Sequence, residues 1–178
     1  VLILFIASTI VSQTNTEVFL FDIKKTESGY ELTNKKKIST NEGYDSQPHF
    51  YDNYELLFAS SRNGQTDIVK YTIDTGIKEF INYSPQGGEY SPQRIPDTDD
   101  ISAVRLDNTS LQRFYRYDIN TGKPKEIIRN LEVAYPLWAS SKLLFSAVIG
   151  EKSLELVKSD LKNKTNVLLE KNIGRSLH

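Results

Sequence analysis

Few side chains in this sequence have the type and spacing that catalysis needs. The chain has two histidines, His49 and His178, and no cysteine, which excludes thiolate nucleophiles and thiolate metal ligands. His49 lies between Pro48 and Phe50 with no acidic neighbour to orient its ring, as is typical of a packed side chain. No G-x-S-x-G, H-E-x-x-H or phosphate-binding glycine motif is present. We therefore expect no catalytic residue, no metal and no cofactor in this stretch of chain.

Charged side chains are frequent but balanced. With 22 basic and 23 acidic residues the net charge is −1, so the sequence predicts no nucleic-acid partner. Arg105 lies in the otherwise apolar run ISAVRLD, where a guanidinium group needs a carboxylate or a ligand. Asp99, Asp100 and Asp107 are close enough in sequence to supply that carboxylate. A structural ion pair is the preferred interpretation of Arg105.

The first 13 residues, VLILFIASTIVSQ, are apolar at the start and become polar at Ser12 and Gln13. This pattern is typical of the apolar region of a secretory signal peptide and is too short to span a bilayer. The alternative is a buried first strand, because the same residues suit a sheet. We interpret residues 1–13 as a signal remnant, which predicts an exported mature protein without a membrane span. The absence of Met at position 1 indicates that the true start is missing.

The residues that could bind a partner are positioned by an internal repeat. Two residue types recur with a spacing of 44: Pro48, Pro92 and Pro136, and Ala59, Ala103 and Ala147. The run YTIDTG at 71–76 returns as YDINTG at 117–122. Periods of this length are typical of solenoids and propellers. The chain is therefore expected to contain several copies of one small unit.

Each unit divides into short strand-like runs, which in the second copy are 46–51, 55–61, 67–73 and 77–83. Asn63-Gly64 between two of these runs is typical of a type I′ hairpin turn. The third run carries one apolar column in successive copies: Phe19, Phe21 and Ile23; Val69, Tyr71 and Ile73; Tyr115, Tyr117 and Ile119. Four antiparallel strands per repeat predict an all-β fold. Within that class, a radial repeat of four-stranded units predicts a β-propeller.

The propeller is expected to be incomplete. We predict a half blade at 17–42, complete blades at about 43–86, 87–131 and 132–171, and the start of another blade at 172–178. A closed ring needs at least four blades, so the sequence indicates a polypeptide truncated at both ends.

Three stretches resemble the repeats of TolB-like propellers, a WD-repeat-like group of exported bacterial proteins: SQPHF…LLFASSRNGQTDIVKYTIDTG, YSPQ…ISAVRLD…RFYRYDINTG and YPLW…LLFSAV. The resemblance covers about residues 17–178. It departs from the repeat pattern at Arg94, where Phe50 and Trp138 supply an aromatic residue in the other copies. The resemblance implies a periplasmic or surface-facing module of the bacterial envelope that binds a protein or acts as a scaffold without being an enzyme.

Propellers bind partners at the central channel and the loops around its mouth. In this sequence those positions predict a partner-binding set: Tyr44, Asp45, Gln47, His49, Glu89, Tyr90, Gln93, Arg94, Tyr135 and Trp138. The same residues could instead build the wall of the ring. Two other functions stay open, namely the propeller of a prolyl-oligopeptidase-like serine peptidase and a glycan-binding or glycan-cleaving propeller. The oligomeric state cannot be predicted.

Overall fold

A computed structural model describes residues 15–85 and 87–177 of the chain. Within these ranges every regular element is a β-strand, which confirms the predicted all-β class. The proposed signal segment at 1–13 lies outside the described residues. No helix long and apolar enough to cross a membrane occurs in the described ranges.

The strands form four antiparallel sheets in which neighbours in sequence are neighbours in space. Sheet 1 pairs β1 (Phe19–Thr26) with β2 (Gly29–Lys37). Sheet 2 contains β3 (Asp45–Phe50), β4 (Glu55–Arg62), β5 (Gln65–Thr72) and β6 (Lys78–Phe80). Sheet 3 contains β7 (Gly87–Arg94), β8 (Ile101–Asp107), β9 (Gln112–Tyr117) and β10 (Pro124–Ile128). Sheet 4 contains β11 (Val133–Ser140), β12 (Leu143–Ile149), β13 (Leu154–Asp160) and β14 (Thr165–Lys171).

Local turn chemistry explains the up-and-down order of the strands. Arg62 pairs with Gln65 across the tight turn between β4 and β5. Asn63 and Gly64 occupy this turn with φ values of 51° and 77°. A type I′ turn requires positive φ at both central positions, and these two residue types tolerate it. The hairpin predicted from Asn63-Gly64 is therefore present.

The repeat seen in the sequence is a repeat of structure. Ala59, Ala103 and Ala147 lie on the second strands β4, β8 and β12, and each is 0 % exposed. The prolines of the 44-residue repeat lie on the first strands β3, β7 and β11. The alanines nevertheless do not occupy one structural position: Ala103 lies with Ile101 and Tyr117 on the face toward the preceding sheet, whereas Ala59 pairs with Ile68 on the face toward the following sheet.

The hydrophobic core lies between the sheets. Three clusters fill the three interfaces, with Val18 and Tyr71 in the first, Leu57 and Tyr117 in the second, and Phe114 in the third. Each cluster contains residues of, or next to, two successive sheets, so the four sheets are stacked face to face in chain order. This is the arrangement of propeller blades, whose two faces are both covered by neighbours.

The apolar column of the third run always faces the preceding sheet. Val69 and Tyr71 pack toward sheet 1, and Tyr117 packs toward sheet 2. In sheet 1 the corresponding Phe19 and Ile23 are 41 % and 69 % exposed, because no sheet of the described residues precedes it. The opposite side of β1 is the covered one, and Leu20 packs there.

The other end of the stack is also open. Val167, Leu168 and Leu169 on β14 are about half exposed. Residues 172–177, where the sequence predicts the start of another blade, contain no strand. Exposed apolar faces at both ends are the expected property of an arc of blades that has not closed into a ring.

Candidate functional site

The ten residues predicted to bind a partner all lie on, or directly before, the first strands β3, β7 and β11. They do not meet at one point. Tyr44, Asp45, Glu89 and Tyr90 lie near the beginnings of β3 and β7, and Tyr135 lies near the beginning of β11. Other members lie toward the far ends of these strands, including Arg94 and Trp138. The beginnings of the strands therefore form the more coherent site.

Tyr44 and Tyr90 form an aromatic pair between sheets 2 and 3. Their ring centroids are 5.9 Å apart with an interplanar angle of 65°, an edge-to-face geometry. Both side chains are only half-buried. The backbone before β3 is also held by Thr16, whose amide donates to the Gly43 carbonyl. The pair is thus positioned by backbone contacts and keeps part of its aromatic surface open.

Asp45 and Glu89 occupy equivalent positions, 44 residues apart, at or near the starts of β3 and β7. They are 1 % and 0 % exposed, so neither can touch a partner in this conformation. The Tyr117 hydroxyl donates a 2.9 Å hydrogen bond to Glu89 Oε1. Glu89 Oε2 and both carboxylate oxygens of Asp45 have no hydrogen-bond partner among the described residues. The third copy has Val133 here, so the fold does not require an acid.

Burial dominates the electrostatics of these two carboxyl groups. It raises the pKa of Glu89, against the opposing influence of nearby Ser84 and Tyr117 and of the Arg105 charge. Burial likewise raises the pKa of Asp45, against the opposing influence of Ser60. Both acids therefore hold their protons to higher pH in the folded chain than in the unfolded chain.

Arg105 has a different carboxylate partner from the three proposed from sequence. Arg105 Nε lies 3.9 Å from Glu89 Oε1, because the register of β7 and β8 places these two residues opposite each other. Asp99 and Asp100 pair with other arginines, and Asp107 accepts backbone hydrogen bonds in the β8–β9 turn. The expectation of structural pairing holds, but its proposed partners were wrong.

Three other predicted residues connect neighbouring sheets. Gln47 Oε1 accepts a 2.7 Å hydrogen bond from the Ser91 amide. Gln93 Nε2 donates to the Pro136 carbonyl at 2.9 Å, and Trp138 Nε1 donates to a serine hydroxyl of β8 at 2.8 Å. In this structure the polar atoms of these three side chains form hydrogen bonds that hold neighbouring sheets together.

Arg94 and His49 are also engaged within the protein. The Arg94 guanidinium lies 4.5 Å from the centre of the Tyr51 ring, and its Nε donates to the Thr98 carbonyl at 3.0 Å. Burial lowers the pKa of His49, so its ring is neutral at physiological pH. No group of three or more His, Cys, Asp or Glu side chains in the described ranges is arranged to hold a metal ion.

Sequence reasoning missed a buried polar network around Asp67. This side chain is 0 % exposed on β5 and accepts hydrogen bonds from Gln65, Asn82 and the Ser84 amide at 3.2 to 3.3 Å. Asn82 Oδ1 in turn accepts from the Ile68 amide at 2.9 Å. An Asp within the otherwise strand-like run TDIV was the available signal. These hydrogen bonds join β5 to the segment that leads to β7.

Comparison with known proteins supports the architecture. Neither protein-family models nor curated proteins match the chain. Among solved structures, TolB from Acinetobacter baumannii matches 86 % of this chain and 41 % of its own, with a TM-score of 0.66 and 17 % identity. A TolB candidate from Agrobacterium tumefaciens matches 86 % and 62 %, with a TM-score of 0.67 and 14 % identity.

The fold is TolB-like. A puromycin-hydrolysing peptidase from Mycobacterium tuberculosis also has this architecture in part, with a TM-score of 0.61, 13 % identity, and coverage of 83 % of this chain and 24 % of its own. The chain thus spans less than two thirds of the length of each of these proteins, from 24 % to 62 %. At such identities the likeness shows the TolB-like fold alone.

Proposed function

We propose that the chain is part of an exported, non-enzymatic propeller that binds a protein partner in the bacterial envelope. The observation that carries the proposal is the half-buried pair Tyr44 and Tyr90 on a TolB-like arc of sheets. Tyrosines that are held rigidly and kept partly open are frequent anchors of protein interfaces. The apolar character of residues 1–13 supports export.

The proposed mechanism is display of a preformed surface. Tyr44 and Tyr90 come from successive sheets, and their spacing depends on the packing of those sheets against each other. A partner that covers the pair gains aromatic contact area without ordering a flexible loop, which lowers the entropic cost of binding. The two rings are expected to lie at the centre of the interface.

Removing both rings is expected to abolish partner capture. The Tyr44→Ala/Tyr90→Ala variant and the unmodified chain would be used as baits in envelope extracts, and the captured proteins identified by mass spectrometry. Truncation of a central aromatic anchor typically costs about 2–4 kcal/mol of binding free energy, which is roughly 30-fold or more in affinity.

The matched control is Tyr30→Ala/Tyr54→Ala, which removes two tyrosines that are 73 % and 64 % exposed at other places. A partner that is retained by the control and lost by the Tyr44/Tyr90 variant supports the proposal. A partner that is captured equally by both variants would show that the tyrosine pair is not part of the interface.

The second candidate is the propeller of a serine peptidase. The likeness to the puromycin-hydrolysing peptidase favours it. A hydrolase domain with a G-x-S-x-G motif encoded downstream of residue 178 in the same reading frame would support this candidate. Partner capture that depends on Tyr44 and Tyr90, by a protein without such a domain, would support the binding module instead.

A further inference from the structure

A groove lies between sheets 3 and 4 at the far ends of the first strands, away from Tyr44 and Tyr90. Its volume is about 770 Å³, within the range of ligand-binding sites. Sheet 3 contributes β10, and sheet 4 contributes the β11–β12 and β13–β14 turns. Asn166 Nδ2 donates a 3.2 Å hydrogen bond to Asn130 Oδ1 across the groove, so the two walls are joined at one point.

The groove is strongly basic in a chain of balanced charge. Two acidic side chains line it, Glu126 and Asp160, against six basic ones: Arg116, Lys125, Arg129, Lys142, Lys162 and Lys164. The two arginines form ion pairs with acidic residues. None of the four lysines forms an ion pair with any residue in the part of the chain that the structure describes. These four ammonium groups outnumber Asp160, the lining carboxylate that is not in an ion pair among the described residues, and create a positive local potential.

The preceding pair of sheets supplies an internal comparison. The equivalent groove between sheets 2 and 3 is also lined by the outer strand of one sheet and the turns of the next. It has a volume of about 440 Å³ and contains three acidic side chains, Glu55, Glu79 and Asp99, against Lys70. The same place in the fold thus carries the opposite charge. The cations of the larger groove are therefore not needed to build a blade.

One position of the repeat differs between the two grooves. Tyr51 lines the acidic groove, where its hydroxyl donates a 2.8 Å hydrogen bond to the Asp99 carbonyl and Arg94 lies over its ring. The equivalent residue 44 positions later is Ile95, which is shorter and 3 % exposed. Ile95 lines the larger groove, where Ile127 and Leu161 form an apolar wall beside the lysines.

We propose that this groove binds an acidic peptide segment of a partner protein, with Glu or Asp side chains next to the lysines and small apolar side chains on Ile127 and Leu161. An open groove with aliphatic walls suits an extended amphipathic peptide. It suits an acidic sugar less well, because the aromatic residue at the groove, Trp138, has its indole N–H engaged with Ser102 and its ring packed on Phe114. The groove is separate from the tyrosine pair. An experiment can therefore disprove one of the two binding proposals without affecting the other.

The test is fluorescence anisotropy of a labelled peptide of alternating Glu and Leu titrated with the full chain. We expect saturable binding that weakens as salt is raised, because exposed charges are screened. The Lys142→Glu/Lys162→Glu/Lys164→Glu variant should weaken binding by about 10-fold or more, since each exposed pair contributes up to about 1 kcal/mol. The control, Lys24→Glu/Lys25→Glu/Lys152→Glu, changes the net charge equally at residues outside the groove.

Three results would overturn the proposal. The first is equal weakening by the two triple variants, which would show attraction to net charge alone. The second is equal binding of a Gln and Leu peptide, which would show that charge is irrelevant. The third is absence of peptide binding, with or without binding of a hyaluronate oligosaccharide. Preserved circular dichroism spectra of both triple variants would show that the comparison concerns folded proteins.

Discussion

Gly122→Ala is expected to lower the free energy of unfolding by about 2–5 kcal/mol. Gly122 has φ +66°, a conformation that costs an L-residue about 1–2 kcal/mol. A Cβ at this position would lie 2.2 Å from the Ile81 carbonyl oxygen, which follows β6 in the neighbouring sheet. Because that obstacle is backbone, overpacking adds about 1–3 kcal/mol. Urea unfolding followed by circular dichroism measures the loss.

The chain contains its own control for this prediction. Gly76 is the equivalent glycine of the preceding repeat and has φ +72°, but a Cβ there would meet nothing closer than the Tyr71 hydroxyl at 3.8 Å. Gly76→Ala should therefore show the conformational cost alone, about 1–2 kcal/mol. Equal losses for the two variants would show that the β9–β10 turn does not rest on sheet 2.

Removing the two buried carboxyl charges is expected to stabilise the chain at alkaline pH. The change is Asp45→Asn/Glu89→Gln, which keeps shape and removes ionisation. In the unmodified chain the folded-state pKa of both acids is raised by burial. Their stabilising effect is complete below their ordinary pKa values of 3.8 and 4.5, and it is lost as the pH rises through the folded-state values.

The double variant should therefore lack this fall in stability with rising pH. At pH 8 its advantage should be about 1–3 kcal/mol, the cost of burying carboxylate oxygens that accept no hydrogen bond, namely both oxygens of Asp45 and Oε2 of Glu89. Thermal unfolding between pH 4 and pH 8 measures the effect. The control Asp74→Asn/Glu151→Gln removes the same charge from exposed positions. A double variant that is less stable than the unmodified chain at pH 8 would mean that the carboxylates are ionised and well compensated.

The sequence predicted the sheets because strands and tight turns are specified by residues that are close together in the chain. Asn63-Gly64 encodes a tight turn, and the recurring run YTIDTG and YDINTG places Tyr71 and Tyr117 at equivalent buried positions. Alternation along β1 also assigned Phe19 and Ile23 correctly to one face. It could not show that this face is uncovered, because cover depends on a neighbouring sheet and not on the strand itself.

The candidate site was predicted less completely than the fold, because it depends on strand register and on the size of individual side chains. The partner of Arg105 was sought among acids next to it in sequence, whereas the β7–β8 pairing places Glu89 opposite it. The basic groove is lined by Ile95, whereas the equivalent residue of the smaller, acidic groove is Tyr51. The effect of such a difference between repeats can be recognised only when the three-dimensional structures of the repeats are compared.

A crystal structure of the polypeptide would test directly whether the sheets are stacked as propeller blades. We expect Leu56, Ile101 and Leu144, which pair with Tyr71, Tyr117 and Ser159, to lie at the same place on the second strands of three successive four-stranded sheets, stacked face to face in chain order. Three sheets that superpose in this way would confirm an arc of propeller blades. Helices within residues 45–80, or a structure in which Leu56, Ile101 and Leu144 face solvent or lie in one continuous sheet, would contradict it.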